Sequence, residues 1–146
     1  MPDFIRIEDA SFSYAEHNPD KRVTLSNIDL KIGQGEFIAL IGANGSGKST
    51  LAKMLNALLL PDSGSVFING MDTRQQDNHS RISSLVGMVF QRPQDQIVAT
   101  TVEEDVAFGP ENIGIAPDEM RKRVDEALAL TGLSGYRQRP SYLLSA

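Results

Sequence analysis

One nine-residue stretch, GANGSGKST at Gly42–Thr50, constrains the fold of this chain more than any other feature. It follows an almost wholly apolar run, Glu36–Ile41, which is typical of a strand buried on both faces of a sheet. After it, apolar residues recur at helical spacing as far as Pro61, which cannot continue a helix. These residues are Leu51, Met54, Leu55, Leu58 and Leu59. The sequence therefore predicts a buried strand, a glycine-rich turn and an amphipathic helix in direct succession.

The stretch matches G-x-x-x-x-G-K-[ST], the spacing of a phosphate-binding P-loop. Glycines let the backbone turn its N–H groups toward phosphate oxygens, and the following helix adds unpaired amides and its dipole. Lys48 is then placed to reach the β and γ phosphates of ATP, and Ser49 to ligate Mg²⁺. The predicted nucleotide-binding residues here are Gly42, Ala43, Asn44, Gly45, Ser46, Gly47, Lys48, Ser49 and Thr50. The alternative is a glycine-rich turn with an incidental lysine, but the flanking strand and helix favour the phosphate site.

Further strands are predicted on both sides of this motif. Apolar residues alternate with polar neighbours from Ile5 to Tyr14, and TLSNIDLKI follows after a turn at HNPDK, which contains His17. SGSVFING reads as a strand closed by an Asn69-Gly70 turn, and Leu85–Phe90 as a further apolar strand. The order of elements predicts an α/β fold.

The pattern changes to helical from Thr101 onward. In PDEMRKRVDEALALTG, Asp118 and Glu119 favour the positive end of a helix dipole, and Gly132 is a plausible C-terminal cap. The apolar face of this helix consists of Met120, Val124, Ala127 and Leu128. We therefore expect a strand-rich part over residues 1–92 and a helical part over about 100–146.

Composition excludes several classes of function. The chain has no cysteine and only two histidines, His17 and His79, which argues against thiol chemistry and a zinc site. The net charge of −5 argues against a nucleic-acid surface, which needs a basic face. No apolar run approaches the about 20 residues of a membrane helix, and no signal peptide is evident, which predicts an intracellular protein.

The stretch from Ile41 to Gly70 resembles the nucleotide-binding subunit of ABC transporters, and the resemblance extends over the whole chain. It implies a P-loop sheet core with an antiparallel β subdomain and a helical subdomain. Tyr14, in FSY, matches the aromatic residue that stacks on adenine in that family, and Gln91, in VFQ, matches its Q-loop glutamine, a ligand of Mg²⁺. Tyr14 could instead be an ordinary strand residue, and Gln91 a polar strand end. Stacking uses the ring alone, so this role predicts that Tyr14→Phe is nearly silent.

Residues Pro93–Gly114 resemble one branch of that family, the energy-coupling-factor ATPases. The resemblance implies MgATP binding and hydrolysis that power uptake of a vitamin or of cobalt or nickel ions. It also implies a second ATPase subunit, identical or paralogous, transmembrane coupling and substrate-binding subunits, and a peripheral position on the cytoplasmic side of the cell membrane. No nucleic-acid partner is expected.

Two charged groups have simpler interpretations than catalysis. The acidic residues Glu103, Glu104 and Asp105 stabilise a helix start by default, and the resemblance places this region near the membrane partner. Arg121–Arg123 is expected to be a solvated helix face.

The resemblance also shows what this sequence does not contain. No apolar strand ends in Asp-Glu, and neither histidine is placed as the family's switch residue, so no catalytic residue is predicted in this chain. Leu144, Ser145 and Ala146 align with the start of the family's signature motif. We therefore expect the N-terminal part of a longer ATPase that binds ATP without efficient turnover and tends to self-associate. The alternatives are an ABC-type ATPase without a transporter and a truncated, non-catalytic nucleotide-binding module.

Overall fold

The computed structural model describes residues 3–14 and 24–144 and confirms an α/β chain. The chain divides into two compact units, Met1–Met88 and Val89–Ala146. The elements of the first unit are β1 (Asp3–Phe12), β2 (Leu25–Gly33), α1 (Lys48–Leu55), β3 (Ser63–Ile68), β4 (Met71–Asp72) and α2 (His79–Leu85). The second unit has α3 (Val102–Asn112), α4 (Pro117–Leu130) and short 3-10 turns at Pro93–Gln96, Ser134–Tyr136 and Ser141–Leu143.

An antiparallel sheet organises the first unit, with the strand order β2-β1-β3-β4. Ile7 in β1 lies opposite Leu30 on one side and Val66 on the other, so β1 is a central strand. The predicted turn at Asn69-Gly70 is confirmed: both residues have positive φ, 47° and 78°, as a two-residue type I′ hairpin requires. The predicted first strand pair is likewise confirmed.

Helix α1 packs on this sheet and completes its core. Leu51 and Met54 of α1 are buried together with strand residues and Ile82 of α2. The full set is Ile7, Ala10, Phe12, Leu25, Leu51, Met54, Val66, Ile68 and Ile82. The start of α1 is therefore held against the sheet by apolar contacts, and this fixes the glycine-rich loop that precedes it.

Helix α1 ends at Leu55, six residues before Pro61 and earlier than its apolar spacing predicts. Ala57 adopts a left-handed conformation with φ 60°, and the amides of Leu58 and Leu59 both donate to the carbonyl of Lys53. These bonds satisfy a carbonyl of the last turn and end the helix. Leu58 is consequently exposed.

Two predicted strands do not form. Residues 36–41 have no strand pairing with any described residue, and Phe37 and Ile41 are 97% and 90% exposed. In the other segment Leu85 closes α2, and residues 86–90 join no sheet among the described residues. The reason is the same in both: a strand exists only where a neighbour completes its ladder of hydrogen bonds, and apolar composition alone does not supply that neighbour.

The second unit is built on the packing of α3 and α4. Val102, Val124 and Leu128 form its buried core and Met120 packs against it, which confirms three of the four residues of the predicted apolar face of α4, whereas Ala127 is only half-buried. The predicted C-terminal cap is also confirmed, because Gly132 has φ 71° and the next amide, from Leu133, donates to the carbonyl of Leu128. None of the helices in the described part of the chain is long and apolar enough to cross a bilayer.

Candidate functional site

The loop from Gly42 to Gly47 is a compact turn that delivers the chain into α1. The amide of Ser46 donates to the carbonyl of Ala43 at 3.2 Å. Gly45 and Gly47 have φ of 81° and 90°, a conformation that residues with a side chain rarely adopt. The loop residues Gly42–Gly45 are exposed, so their amides are open to a ligand.

Close neighbouring atoms, as well as the backbone conformation, require a glycine at position 47. It is the N-cap of α1, and a Cβ placed on it would lie 2.6 Å from Cδ2 of Leu25 and 2.9 Å from the carbonyl oxygen of Thr24. The close approach brings the end of the loop against the start of β2. The second glycine of the motif therefore sets the place where the helix begins.

The first turn of α1 presents unpaired hydrogen-bond donors. The first intrahelical bond in this turn runs from the amide of Leu51 to the carbonyl of Gly47 at 2.9 Å. The amides of Lys48, Ser49 and Thr50 have no partner within residues 3–14 and 24–144, and neither does the Ser49 hydroxyl. Such a helix end carries a partial positive charge and fits an anionic phosphate.

Lys48 adds a full positive charge at the same place. Its Nζ donates to the carbonyl oxygens of Gly42 and Ala43, each at 2.8 Å, and lies 3.5 Å from the Ser46 hydroxyl. These neutral acceptors hold the ammonium over the loop. Phosphate oxygens are stronger acceptors for an ammonium than carbonyls are, so Lys48 can exchange one for the other.

Tyr14 contacts the first turn of α1. Its hydroxyl and that of Thr50 are 3.2 Å apart and share a hydrogen bond, although the two residues are 36 positions apart in the sequence. The Tyr14 ring meets the ring of Phe12 edge-on, with centroids 5.0 Å apart. Tyr14 nevertheless keeps 60% of its surface exposed. The structure therefore brings the predicted adenine-stacking residue to the P-loop helix.

Asp62 anchors the end of β1 that carries Tyr14. Its amide donates to the carbonyl of Ser11 at 2.9 Å, and its carboxylate accepts from the amide of Ser13 at 2.8 Å. Sequence reasoning missed both Asp62 and the contact between Tyr14 and Thr50. Neither follows from a motif, because both join segments that are distant along the chain.

The other predicted residues lie elsewhere. Gln91 belongs to the second unit, where it is exposed and its side chain makes no hydrogen bond with a described residue. His79 lies in the first unit, where its ring Nε2 is 2.7 Å from the carbonyl oxygen of Thr73. His17, Ser145 and Ala146 lie outside the described residues.

The acidic group at the start of α3 is occupied by internal contacts. Glu104 forms a capping box with Thr101, and Asp105 accepts hydrogen bonds from two amides that precede the helix. Glu103 pairs with Arg137 at 2.8 Å. The pKa of Arg137 is raised, chiefly by its hydrogen bond to Asp125. These contacts confirm that the group stabilises a helix start.

Comparison with known proteins gives consistent matches. The ABC transporter family profile matches residues 25–146. The chain is 51% identical to the energy-coupling factor transporter ATP-binding protein EcfA1 of Clostridium novyi, with 97% of this chain and 50% of that protein covered. It is 46% identical to the cobalt import ATP-binding protein CbiO of Syntrophus aciditrophicus, with 97% and 49% covered.

A solved structure agrees with these relatives. It is CbiO1 of Clostridium perfringens, part of the ABC transporter complex CbiONQ, at 33% identity and a TM-score of 0.81 over 99% of this chain and 57% of that one. The chain spans about half the length of the curated relatives named above. The predicted resemblance to the energy-coupling-factor branch is confirmed by these similarities. On the match over residues 25–146, the chain belongs to the ABC transporter family.

Proposed function

We propose that this chain binds MgATP through Gly42–Thr50 and serves the ATP-driven uptake of a vitamin or a transition-metal ion. The observation that supports binding is that three kinds of donor belong to the loop and the first turn of α1: the Lys48 ammonium, the unpaired amides of that turn, and the Ser49 hydroxyl. The names of the relatives, an energy-coupling factor transporter protein and a cobalt import protein, support the transport role.

Each residue has a separate task in this proposal. Lys48 leaves the carbonyls of Gly42 and Ala43 and donates to the β and γ phosphates, while the loop amides donate to the remaining phosphate oxygens. Ser49 ligates Mg²⁺ through its hydroxyl, and the role of Gln91 stays a prediction from the resemblance. Tyr14 stacks on the adenine ring. When bound, Mg²⁺ neutralises phosphate charge.

Catalysis requires groups that these 146 residues do not include. No apolar strand ending in Asp-Glu occurs in the sequence. Loss of a general base lowers a rate by a factor of about 10²–10⁴. We therefore propose that this chain by itself binds ATP and hydrolyses it no faster than background, whereas turnover belongs to the longer ATPases that it resembles.

We infer that the membrane partner docks on the second unit. A pocket of about 270 Å³ lies beside the start of α3, lined mainly by apolar side chains such as Ile97, Val102, Val106 and Leu133. We propose that it receives an apolar segment of a transmembrane coupling subunit. The assembly would place this chain, with a second ATPase subunit, on the cytoplasmic side of the membrane.

Calorimetry with one pair of variants tests the binding proposal. Lys48→Ala should weaken MgATP binding at least tenfold, about 1.4 kcal/mol, and AMP binding by less, because AMP lacks the β and γ phosphates. Lys53→Ala, on the same helix but in its last turn, is the matched control and should bind ATP as the wild type does. Equal ATP affinity in the wild type and Lys48→Ala would refute the phosphate site.

A further inference from the structure

The hydroxyl–hydroxyl contact between Tyr14 and Thr50 carries an inference about how the base and phosphate halves of the site are joined. We propose that Thr50 is a positioning residue: it holds the Tyr14 ring at the angle at which adenine stacks. The Tyr14 ring, which we call the base platform, is thereby coupled to the loop at Gly42–Thr50. The inference rests on the proposed ATP-binding function and names a determinant of base recognition within it.

Thr50 has a fixed position from which to act. It is 4% exposed, lies in the first turn of α1, and is followed directly by the core residue Leu51. A β-branched side chain in a helix has few rotamers, and burial restricts them further. Its hydroxyl is therefore a rigid hydrogen-bond partner for Tyr14, at 3.2 Å.

The Tyr14 ring, in contrast, is the exposed member of the pair, with 60% of its surface accessible to solvent. Its near end is fixed by the anchored backbone, because the carboxylate of Asp62 accepts from the amide of the adjacent Ser13. The Phe12 ring packs edge-on against the Tyr14 ring, with an angle of 89° between the two ring planes. The bond to Thr50 fixes the remaining end, at the hydroxyl.

This arrangement changes the expectation for the Tyr14 hydroxyl. Stacking alone uses only the ring and predicts that Tyr14→Phe is nearly silent. If the hydroxyl instead holds the ring in place, its loss frees the ring, and part of the binding free energy is then spent on ordering it again. The effect should fall on ligands that have a base and spare those that have only phosphates.

A double-mutant cycle on the full chain, with two ligands, tests the inference. The variants are Tyr14→Phe, Thr50→Val and the double variant, and the ligands are MgATP and magnesium tripolyphosphate, which has no base. Each single variant should weaken ATP binding by about threefold to tenfold, the net value of one hydrogen bond, and the double variant by no more than either. The loss for tripolyphosphate should be clearly smaller. Thr50→Ser keeps a hydroxyl and should retain most of the affinity.

The control variant is Tyr142→Phe, at an exposed tyrosine of the second unit, which should leave both affinities unchanged. The inference is overturned if the losses of the two single variants add in the double variant, or if Thr50→Val weakens tripolyphosphate binding as much as ATP binding. Wild-type chain that binds neither ligand overturns the proposed function itself. If the wild type binds both ligands equally well, the phosphate loop stands and the base platform does not. If thermal unfolding shows that Thr50→Val does not fold, the affinities of Tyr14→Phe and Thr50→Ser for the two ligands test the inference instead.

Discussion

Strand β3 and the segment 36–41 are both short, carry large apolar residues and lie in the same unit, yet only β3 forms a strand. In β3, Val66 and Ile68 are fully buried, and the strand pairs with β1 on one side and β4 on the other. In the segment 36–41, Phe37 and Ile41 are almost fully exposed, and no described strand pairs with it.

The difference shows that apolar composition specifies a preference for burial but not the neighbour that provides it. The sheet containing β3 is built from antiparallel pairs, and a two-residue hairpin turn joins β3 to β4. Parallel strands of a central sheet need partners that come from distant segments. Residues 36–41 have the composition of such a strand and meet no such partner within residues 3–14 and 24–144.

The largest expected effect is a difference in stability between two truncations, one in β3 and one in the segment 36–41. Ile68→Ala should lower the free energy of unfolding by about 2–5 kcal/mol, because it leaves a cavity in a packed core. Ile41→Ala removes the same atoms from a side chain that is 90% exposed and should change stability by no more than about 0.5 kcal/mol. Urea denaturation of both variants is the measurement, and equal losses would mean that the segment 36–41 is buried in solution.

A second experiment asks what the exposed segment does in solution. Exposed apolar chain with unpaired backbone groups favours association, and a lysine opposes it. Ile41→Lys should therefore weaken self-association by roughly tenfold or more, the equivalent of the about 1.5–3 kcal/mol gained by burying such a side chain. Sedimentation at several protein concentrations measures this.

The control for that experiment is Leu130→Lys, because Leu130 is 88% exposed but lies on a helix whose backbone is paired. It should alter association much less than Ile41→Lys does. A wild-type chain that stays monomeric at all concentrations would show that the unpaired segment is not an association surface.

The smallest expected effect lies in the sheet region, at the ion pair between Asp72 and Arg74. The hydrogen bond from Arg74, at 2.8 Å, lowers the pKa of Asp72 from its ordinary value of 3.8. A lowered folded-state pKa means that the stabilisation is present above the ordinary value and is lost as the pH falls through the lowered one. Arg74→Met should thus destabilise by at most about 1 kcal/mol at pH 7, and by less below about pH 4.

Thermal unfolding across this pH range tests the sign. The control is Arg81→Met, at an arginine that forms no ion pair with a described residue, and it should show no such trend. A deficit for Arg74→Met that grew as the pH fell would contradict the assignment of the Asp72 pKa.

Local signals predicted the parts of the fold whose partners are close in sequence. The Asn69-Gly70 hairpin, the capped helix α4 and the start of α1 after Gly47 all follow from turn residues, caps and periodicity. The predicted strands at 36–41 and 85–90 were wrong as elements because a strand depends on a partner that periodicity does not reveal. The end of α1 was misplaced because Ala57 adopts a left-handed conformation that its residue type does not predict.

The candidate site divides in the same way. The motif identified the loop and Lys48, since the spacing of its glycines reflects the backbone conformation of the loop itself. The contacts of Tyr14 with Thr50 and of Asp62 with Ser13 were not predictable, because each joins two segments through tertiary packing. The roles of Gln91 and of the loop residues in binding stay predictions.

The two carbonyl contacts of the Lys48 ammonium also determine how its removal should be interpreted. The side chain donates to the carbonyls of Gly42 and Ala43. Alanine at this position would remove those contacts from the ligand-free state together with the phosphate contacts from the bound state. The measured change in affinity is then a difference between two sets of hydrogen bonds and understates the attraction of lysine for phosphate. The variant would also lose the two contacts that hold Gly42 and Ala43, so lysine at this position stabilises the loop itself in addition to serving the proposed phosphate site.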